Sequence, residues 1–309
     1  MTAAAPAAPG DIGAALVPVP PRRADRSALR RVLLTVAALV VLAALWEAYK
    51  ALGPADGLRV GGSLVLPRAN DGAMPHVWAV AAELARPLSA APGSPSVGAA
   101  VFAAAVTSLA IAAQGFLLGV VAGALLALLM ARFRLAERGL LPWIVLSQTV
   151  PLVALAPLVA VWGAQLPGWS SWSSVTVIAA YLAFFPISVG LLKGLDSPDA
   201  VHRDLFVAEG ASFLRTLLHL RLPASVPYLL PALRLGAASA VIGGIVAEVS
   251  TGTDGGIGRT IITFAVASTG DPARPWAAIL GAIAVGLVAA GVVSAVGPLL
   301  SRFRRGETS

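Results

Sequence analysis

The sequence predicts an all-α membrane protein of six transmembrane helices, with both termini cytoplasmic and a short cytoplasmic helix between the fourth and fifth spans. Three observations carry that reading. Hydrophobic residues make up 58% of the 309 and charged residues only 12%, a balance foreign to ordinary soluble domains. Several apolar runs approach or exceed the roughly 20 residues that a helix needs to cross hydrocarbon. Clusters of arginine punctuate those runs, and in a membrane protein such clusters mark the cytoplasmic side.

Taken in order, residues 1–21 are rich in Ala, Pro and Gly with almost no charge, and are expected to be disordered. Arg22, Arg23, Arg26, Arg30 and Arg31 complete a basic cytoplasmic tail over 1–31. The first transmembrane helix covers 32–49. A signal peptide would also begin with basic residues, but the length of this run and Trp46-Glu-Ala-Tyr-Lys50, where a small-residue cleavage site would fall, favour an uncleaved helix. Residues 50–98, with many Gly, Pro and Ala, read as an external loop with an interfacial-helix candidate at Val77–Leu84.

Residues 99–301 form the core, with five further spans. Val101–Met130 carries Gly115, Gly119 and Gly123 at four-residue spacing, a ridge of small residues along which another helix can approach closely. Arg132, Arg134 and Arg138 follow it. The third span, Leu140–Trp162, is interrupted by Pro142, Pro151 and Pro157, and the uncharged turn 163–173 with Trp162, Trp169 and Trp172 suits an outer interface. Val175–Leu192 is the fourth span. Val226–Val249 is the fifth, with Gly236, Ala240 and Gly244 as a second small ridge. A Gly/Thr/Asp loop over 250–275 precedes Trp276–Leu300, the sixth span, with Gly281, Gly286 and Gly291. The chain closes on a cytoplasmic tail, 302–309, with Arg302, Arg304 and Arg305.

Between the fourth and fifth spans lies the stretch richest in ionisable residues, Lys193 to Pro223. Over Asp199–Leu222 a helical period places Leu205, Phe206, Phe213, Leu214, Leu217 and Leu218 in an apolar stripe beside the charges. Gly210 interrupts it, and Pro223 prevents the helix from continuing unchanged. The alternative is a solvated loop lying on the lipid surface. A six-span count puts this stretch, the Arg132–Arg138 turn and both tails on one face, whereas five or seven spans scatter the arginines. The net charge of +7 therefore reads as orientation rather than as affinity for nucleic acid.

Several chemistries are excluded or unsupported. There is no cysteine, so disulfides and thiolate metal sites are out, and His76, His202 and His219 are too scattered to ligate a metal. No G-x-x-x-x-G-K-[ST], H-E-x-x-H or G-x-S-x-G occurs. Two polar groups lie inside apolar spans. Glu248 is the acidic residue of the fifth run, and is either a pathway residue, as intramembrane acids by default are, or an interface residue beyond the helix end. Gln148 and Thr149, just before Pro151, either line a pathway or make interhelical hydrogen bonds.

Gly210, nine residues, then Leu220-Arg221-Leu222-Pro223 resembles the second half of the "EAA" loop of permease subunits in bacterial ATP-binding cassette importers. Asp204-Leu205-Phe206 stands where that family has Glu-Ala-Ala: the acid is kept in type and both alanines are enlarged. Ser225-Val-Pro227-Tyr228 with Leu233-Arg234-Leu235-Gly236, and Ala247-Glu248 with Gly255-Gly256-Ile257-Gly258, are similar to the segments that follow. Ser147-Gln148-Thr149-Val150-Pro151, Ala154-Leu-Ala-Pro-Leu158 and Trp162-Gly163 look like the sulfonate, nitrate and thiamine-precursor branch.

The resemblance covers roughly residues 98–300. It implies a permease that carries no cofactor itself, ATP being bound by a separate ATPase subunit. That subunit would receive a coupling helix around Asp204–Leu218, with Gly210 at the turn and Leu220, Leu222 and Pro223 closing the motif. It implies also a second permease copy or paralogue, membrane lipid around the bundle, and an external solute-binding protein, for which 50–98 and 250–275 are the docking candidates. The implied solute is a pyrimidine-type thiamine precursor, riboflavin or a related heterocycle, and otherwise a sulfonate, taurine or nitrate. An ion-coupled secondary transporter is the alternative, although no internal repeat is evident; a membrane-embedded enzyme or scaffold is the other.

Overall fold

The computed structural model describes residues 26–300, so the basic tail before Arg26 and the tail 302–309 lie outside the described residues. Two units result. The first ends in α1 (Arg26–Leu52), whose Leu33–Leu52 stretch is long and apolar enough to cross a membrane. The second, from Gly53 onward, is a helical bundle preceded by a small hairpin.

In that hairpin β1 (Leu58–Val60) pairs antiparallel with β2 (Ser63–Leu66). Gly61 and Gly62 both have positive φ, 58° and 86°, the backbone of a tight turn whose twist matches that of the strands. The reading of 50–98 as a plain loop passed over this Gly-Gly signal. A short helix, α2 (Val77–Glu83), follows and coincides with the amphipathic segment.

The bundle is built around α6 (Ser171–Leu195), against which α3 (Val97–Arg132) and α9 (Leu222–Thr251) pack on either side. The buried residues of α3 run Val97, Val101, Ala104, Ser108, Ala112, Gly115, Gly119, Gly123, Ala127, Met130, four-residue steps broken by an occasional three that keep them in one stripe, which meets α10 and α11 near its start and α6 from Gly115 onward. That face is made of small residues because the backbones touch. A methyl group on Gly123 would come within 2.7 Å of the Phe184 carbonyl, one on Gly119 within 2.6 Å of the Ala183 side chain, and one on Gly115 would overlap Ala179. Lipid offers no hydrophobic drive for helix association, so close van der Waals contact of this kind holds the pair.

Along α9, Gly236, Ala240 and Gly244 are all buried. A methyl group on Gly236 would meet the Ile187 side chain of α6 at 2.9 Å, while one on Gly244 would lie 3.9 Å from the Ala112 methyl of α3. Gly243, also buried, approaches α6 as well: a methyl group there would come within 3.2 Å of the Ile178 carbonyl.

The third span is two helices. α4 (Arg134–Ser147) and α5 (Leu152–Gly163) meet at a bend of 102°, so the described residues hold five helices long and apolar enough to cross a membrane, or six if the bent pair is one span. Of its three prolines only Pro151 sits at the break; Pro142 and Pro157 lie inside their helices. The supposed loop 250–275 is also partly helical, containing α10 (Ile257–Val266) before α11 (Arg274–Leu300).

In the polar stretch the turn falls at Gly210, between the short helices α7 (Ala200–Ala208) and α8 (Phe213–Thr216), and the departure from expectation is that α8 passes through a π-helical turn (Leu217–Arg221) directly into α9. Helix is therefore continuous from Phe213 to Thr251. Pro223 does not end it, because the Leu222 N–H donates to the Leu217 carbonyl five residues back. That widened turn relieves the clash a proline ring makes with the carbonyl four residues earlier.

Candidate functional site

The first region of interest is built on α7. Its C-terminus is a Schellman motif: the Ala211 N–H donates to the Phe206 carbonyl at 2.9 Å and the Gly210 N–H to the Val207 carbonyl at 3.0 Å, while Gly210 takes φ 64°. A side chain would be strained at that angle, which is why glycine stands there. Ser212 then caps α8, its hydroxyl accepting from the Arg215 N–H at 3.3 Å.

No residue of α7 is buried. Arg203 and Phe206 are half-buried and face the body, while Asp204 and Leu205 point outward. Val201 (77% exposed), Leu205 (54%) and Ala208 follow one another at four- and three-residue steps on an open face. The single apolar stripe read from sequence therefore divides. Leu217 is buried and Phe206 and Phe213 half-buried, whereas Leu205, Leu214 and Leu218 are exposed. Leu220, Leu222 and Pro223 are half-buried at the entrance to α9.

At the other end of α9 lies Glu248, fully buried in the last turn before Gly252. Its Oε1 accepts from the Ser108 hydroxyl at 2.6 Å and its Oε2 from the Gly258 N–H at 2.7 Å. Ser108 Oγ in turn accepts from the Ile257 N–H at 2.8 Å. Ile257 and Gly258 open α10, so a carboxylate from α9 and a hydroxyl from α3 satisfy the free N–H groups of its first turn. Glu248 sits in packed interior, and its place there favours an anchor over a pathway residue. No hydrogen bond among the described residues joins it to Gln148 or Thr149.

Those two residues lie in the α4–α5 break, Gln148 half-buried and Thr149 and Pro151 exposed. The Thr149 hydroxyl donates to the Leu146 carbonyl at 2.8 Å and Gln148 Nε2 to the Ser147 hydroxyl at 3.1 Å. From α6 the Tyr181 hydroxyl donates to the Ser147 carbonyl. The polar groups of the break are thus largely spent on the carbonyls that the bend frees.

Sequence reasoning missed one cluster altogether. Glu83, 1% exposed, accepts from Arg274 Nε at 3.0 Å and pairs with Arg86 at 3.1 Å, while Asp271 pairs with Arg274 at 3.0 Å and Arg86 at 3.5 Å. The Arg274 guanidinium also lies 6.0 Å from the Phe264 ring. The network ties the end of α2 to the start of α11. Glu83 and Arg274 are 191 residues apart, and no local pattern links them.

Residues 115–305 match the family model described as "Binding-protein-dependent transport system inner membrane component". The chain belongs to this family. As an inner membrane component with several apolar spans, it is a multi-pass protein of the cytoplasmic membrane. Among its relatives is the formylaminopyrimidine transport permease ThiX of Halalkalibacterium halodurans, 40% identical over 46% of this chain and 54% of the relative. The riboflavin transport system permease RibX of Chloroflexus aurantiacus is 31% identical over 40% and 45%. The putative aliphatic sulfonates transport permease SsuC of Bacillus subtilis is 30% identical over 49% and 52%. This inner membrane component thus spans about half the length of the curated relatives it matches.

Proposed function

We propose that this chain is the permease subunit of an ATP-binding cassette importer, moving a small solute delivered by an external binding protein. In this reading α7 is the coupling helix that seats on a separate ATPase subunit at the cytoplasmic face. One observation carries it: α7 is held by a defined Schellman turn, joined through Phe213–Thr251 to a membrane span, and yet leaves Val201, Leu205 and Ala208 exposed among the described residues. An apolar face so presented is a docking surface. Asp204 beside it gives the charge that selects the partner.

Mechanically, force applied to α7 passes through the Gly210 turn into the helix that begins at Phe213 and so into α9. The packed α3–α6–α9 core would then rock between states open to either side. Absence of a P-loop motif agrees with hydrolysis on another chain. For the solute we favour a pyrimidine-type thiamine precursor, riboflavin or a related heterocycle over a sulfonate, taurine or nitrate, because the formylaminopyrimidine permease is 40% identical against 31% and 30% for the riboflavin and sulfonate permeases. Glu248 serves as an anchor, and the α4–α5 break at Gln148, Thr149 and Pro151 is the pathway candidate.

The test is affinity capture of the solubilised chain from its native membrane. An ATP-binding cassette ATPase is expected to come with it and to be lost on Asp204→Lys or Gly210→Val. Failure to recover any ATPase under mild detergent with crosslinking would sink the reading in favour of an ion-coupled transporter. The binding protein recovered with the complex, loaded with candidate solutes, decides among the heterocycles and sulfonates.

A further inference from the structure

The face of the bundle that carries α7 also holds a cavity of about 440 Å³. Arg134 and Arg138 of α4, Arg203 of α7 and Arg221 at the start of α9 wall it, with Glu137 and Asp196 as its acidic members. Four guanidinium groups thus face two carboxylates. Among the described residues none of these six makes an ion pair with another residue, in contrast to Glu83, Arg86, Asp271 and Arg274 at the far end. Arg221 donates through Nη1 to the Ala131 carbonyl at 3.3 Å, but its Nε is buried with no partner. A buried N–H without an acceptor is costly and marks a missing group.

We infer that this cavity is an anion site that takes a phosphate group. Guanidinium forks match phosphate oxygens in geometry and charge, and they converge here from α4, α7 and α9. The volume lies within the roughly 300–1,000 Å³ of small-ligand pockets. The position narrows the source. The cavity opens where α3 and α6 end and α9 begins, which is headgroup level for a bundle that spans a membrane, and an anionic lipid phosphate is the group at hand there. Free phosphate offers the same chemistry.

The site is separate from the docking surface proposed above, because Arg203 faces the body while Asp204 and Leu205 of the same helix face outward. A phosphate held there would tie the end of α3, α7 and the start of α9 together, and so stiffen the element through which α7 moves the spans. The inference rests on the proposed function only for assigning this face to the cytoplasmic leaflet.

The test uses the full chain, purified and delipidated in neutral detergent. Phosphatidylglycerol and phosphatidylcholine binding are measured by native mass spectrometry, and thermal unfolding is followed in inorganic phosphate against chloride at equal ionic strength. Arg134→Gln/Arg203→Gln is expected to weaken phosphatidylglycerol or phosphate binding by about tenfold or more. Arg59→Gln, an exposed basic residue on β1, is expected to leave binding unchanged. Selective phosphatidylglycerol binding assigns the site to lipid, and stabilisation by inorganic phosphate assigns it to a free anion. Should the double variant misfold, Arg138→Gln, exposed at the cavity, is expected to lower binding several-fold by itself. Binding equal in the wild type, the cavity variants and Arg59→Gln overturns the inference. Neither readout involves an ATPase or a transported solute, so failure of the importer reading leaves this result interpretable.

Discussion

The two ends of α9 are opposites. Around Glu248 the carboxylate and its partners on α3 and α10 are mutually satisfied, and nearby the Glu83–Arg274 network closes on itself through Arg86 and Asp271. Around Arg221 the arginines of the cavity have no ion pair among the described residues and α7 has no buried residue. The first end is finished within the chain. In the proposed reading the second is completed by other molecules, since charge and apolar surface that the described residues do not satisfy are available for recognition. One helix carries both, so composition does not account for the difference; position along the bundle does.

Substitutions can break or sharpen that contrast, and stability in mixed detergent micelles orders them. Glu248→Leu strips acceptors from the Ser108 hydroxyl and the Gly258 N–H and is expected to cost about 3 kcal/mol or more. Glu83→Ala, which leaves Asp271 as the one carboxylate paired with Arg274 among the described residues, should cost about 3 kcal/mol by the same assay. If either is silent, the closed end is not what holds that part of the bundle. Gly123→Leu drives a side chain into the Phe184 carbonyl and should cost about 1–3 kcal/mol, with a lowered unfolding midpoint as the readout.

At the open end the expected sign is different. Gly210→Val strains a left-handed position by roughly 1–2 kcal/mol and should lose captured ATPase out of proportion to that cost. Asp204→Lys should leave the unfolding midpoint unchanged and still abolish ATPase capture. A loss of stability from Asp204→Lys comparable to that from Glu248→Leu would erase the distinction between the ends. The smallest effect is reserved for Glu248→Gln, whose amide oxygen still accepts one bond: about 1 kcal/mol of stability, with solute uptake per folded molecule unchanged. Reduced uptake at full stability would return Glu248 to the pathway.

Much of this was legible in advance where the signal is local. Gly115, Gly119 and Gly123 announced a contact ridge because four-residue spacing on a helix keeps small residues nearly on one face. Gly210 announced a turn because only glycine is at ease at positive φ. The single stripe of Leu205 to Leu218 failed because a fixed period was carried across Gly210, where the backbone changes direction. The reading of 250–275 as loop missed α10, whose first turn is capped from α3 and α9 rather than by a residue beside it.

By itself the sequence determined the membrane class, the approximate location of every long span and the family, because apolar length, arginine placement and short motifs are properties of neighbouring residues. Only the tertiary structure decided that Glu248 meets Ser108 across 140 residues, that Glu83 meets Arg274 across 191, and that four arginines from three parts of the bundle line one cavity. It alone placed the break at Pro151 and let helix run through Pro223. The physical reason is common to these cases. Whether a buried charge or a proline is tolerated depends on the partners that satisfy the freed groups, and in a bundle those partners come from other helices.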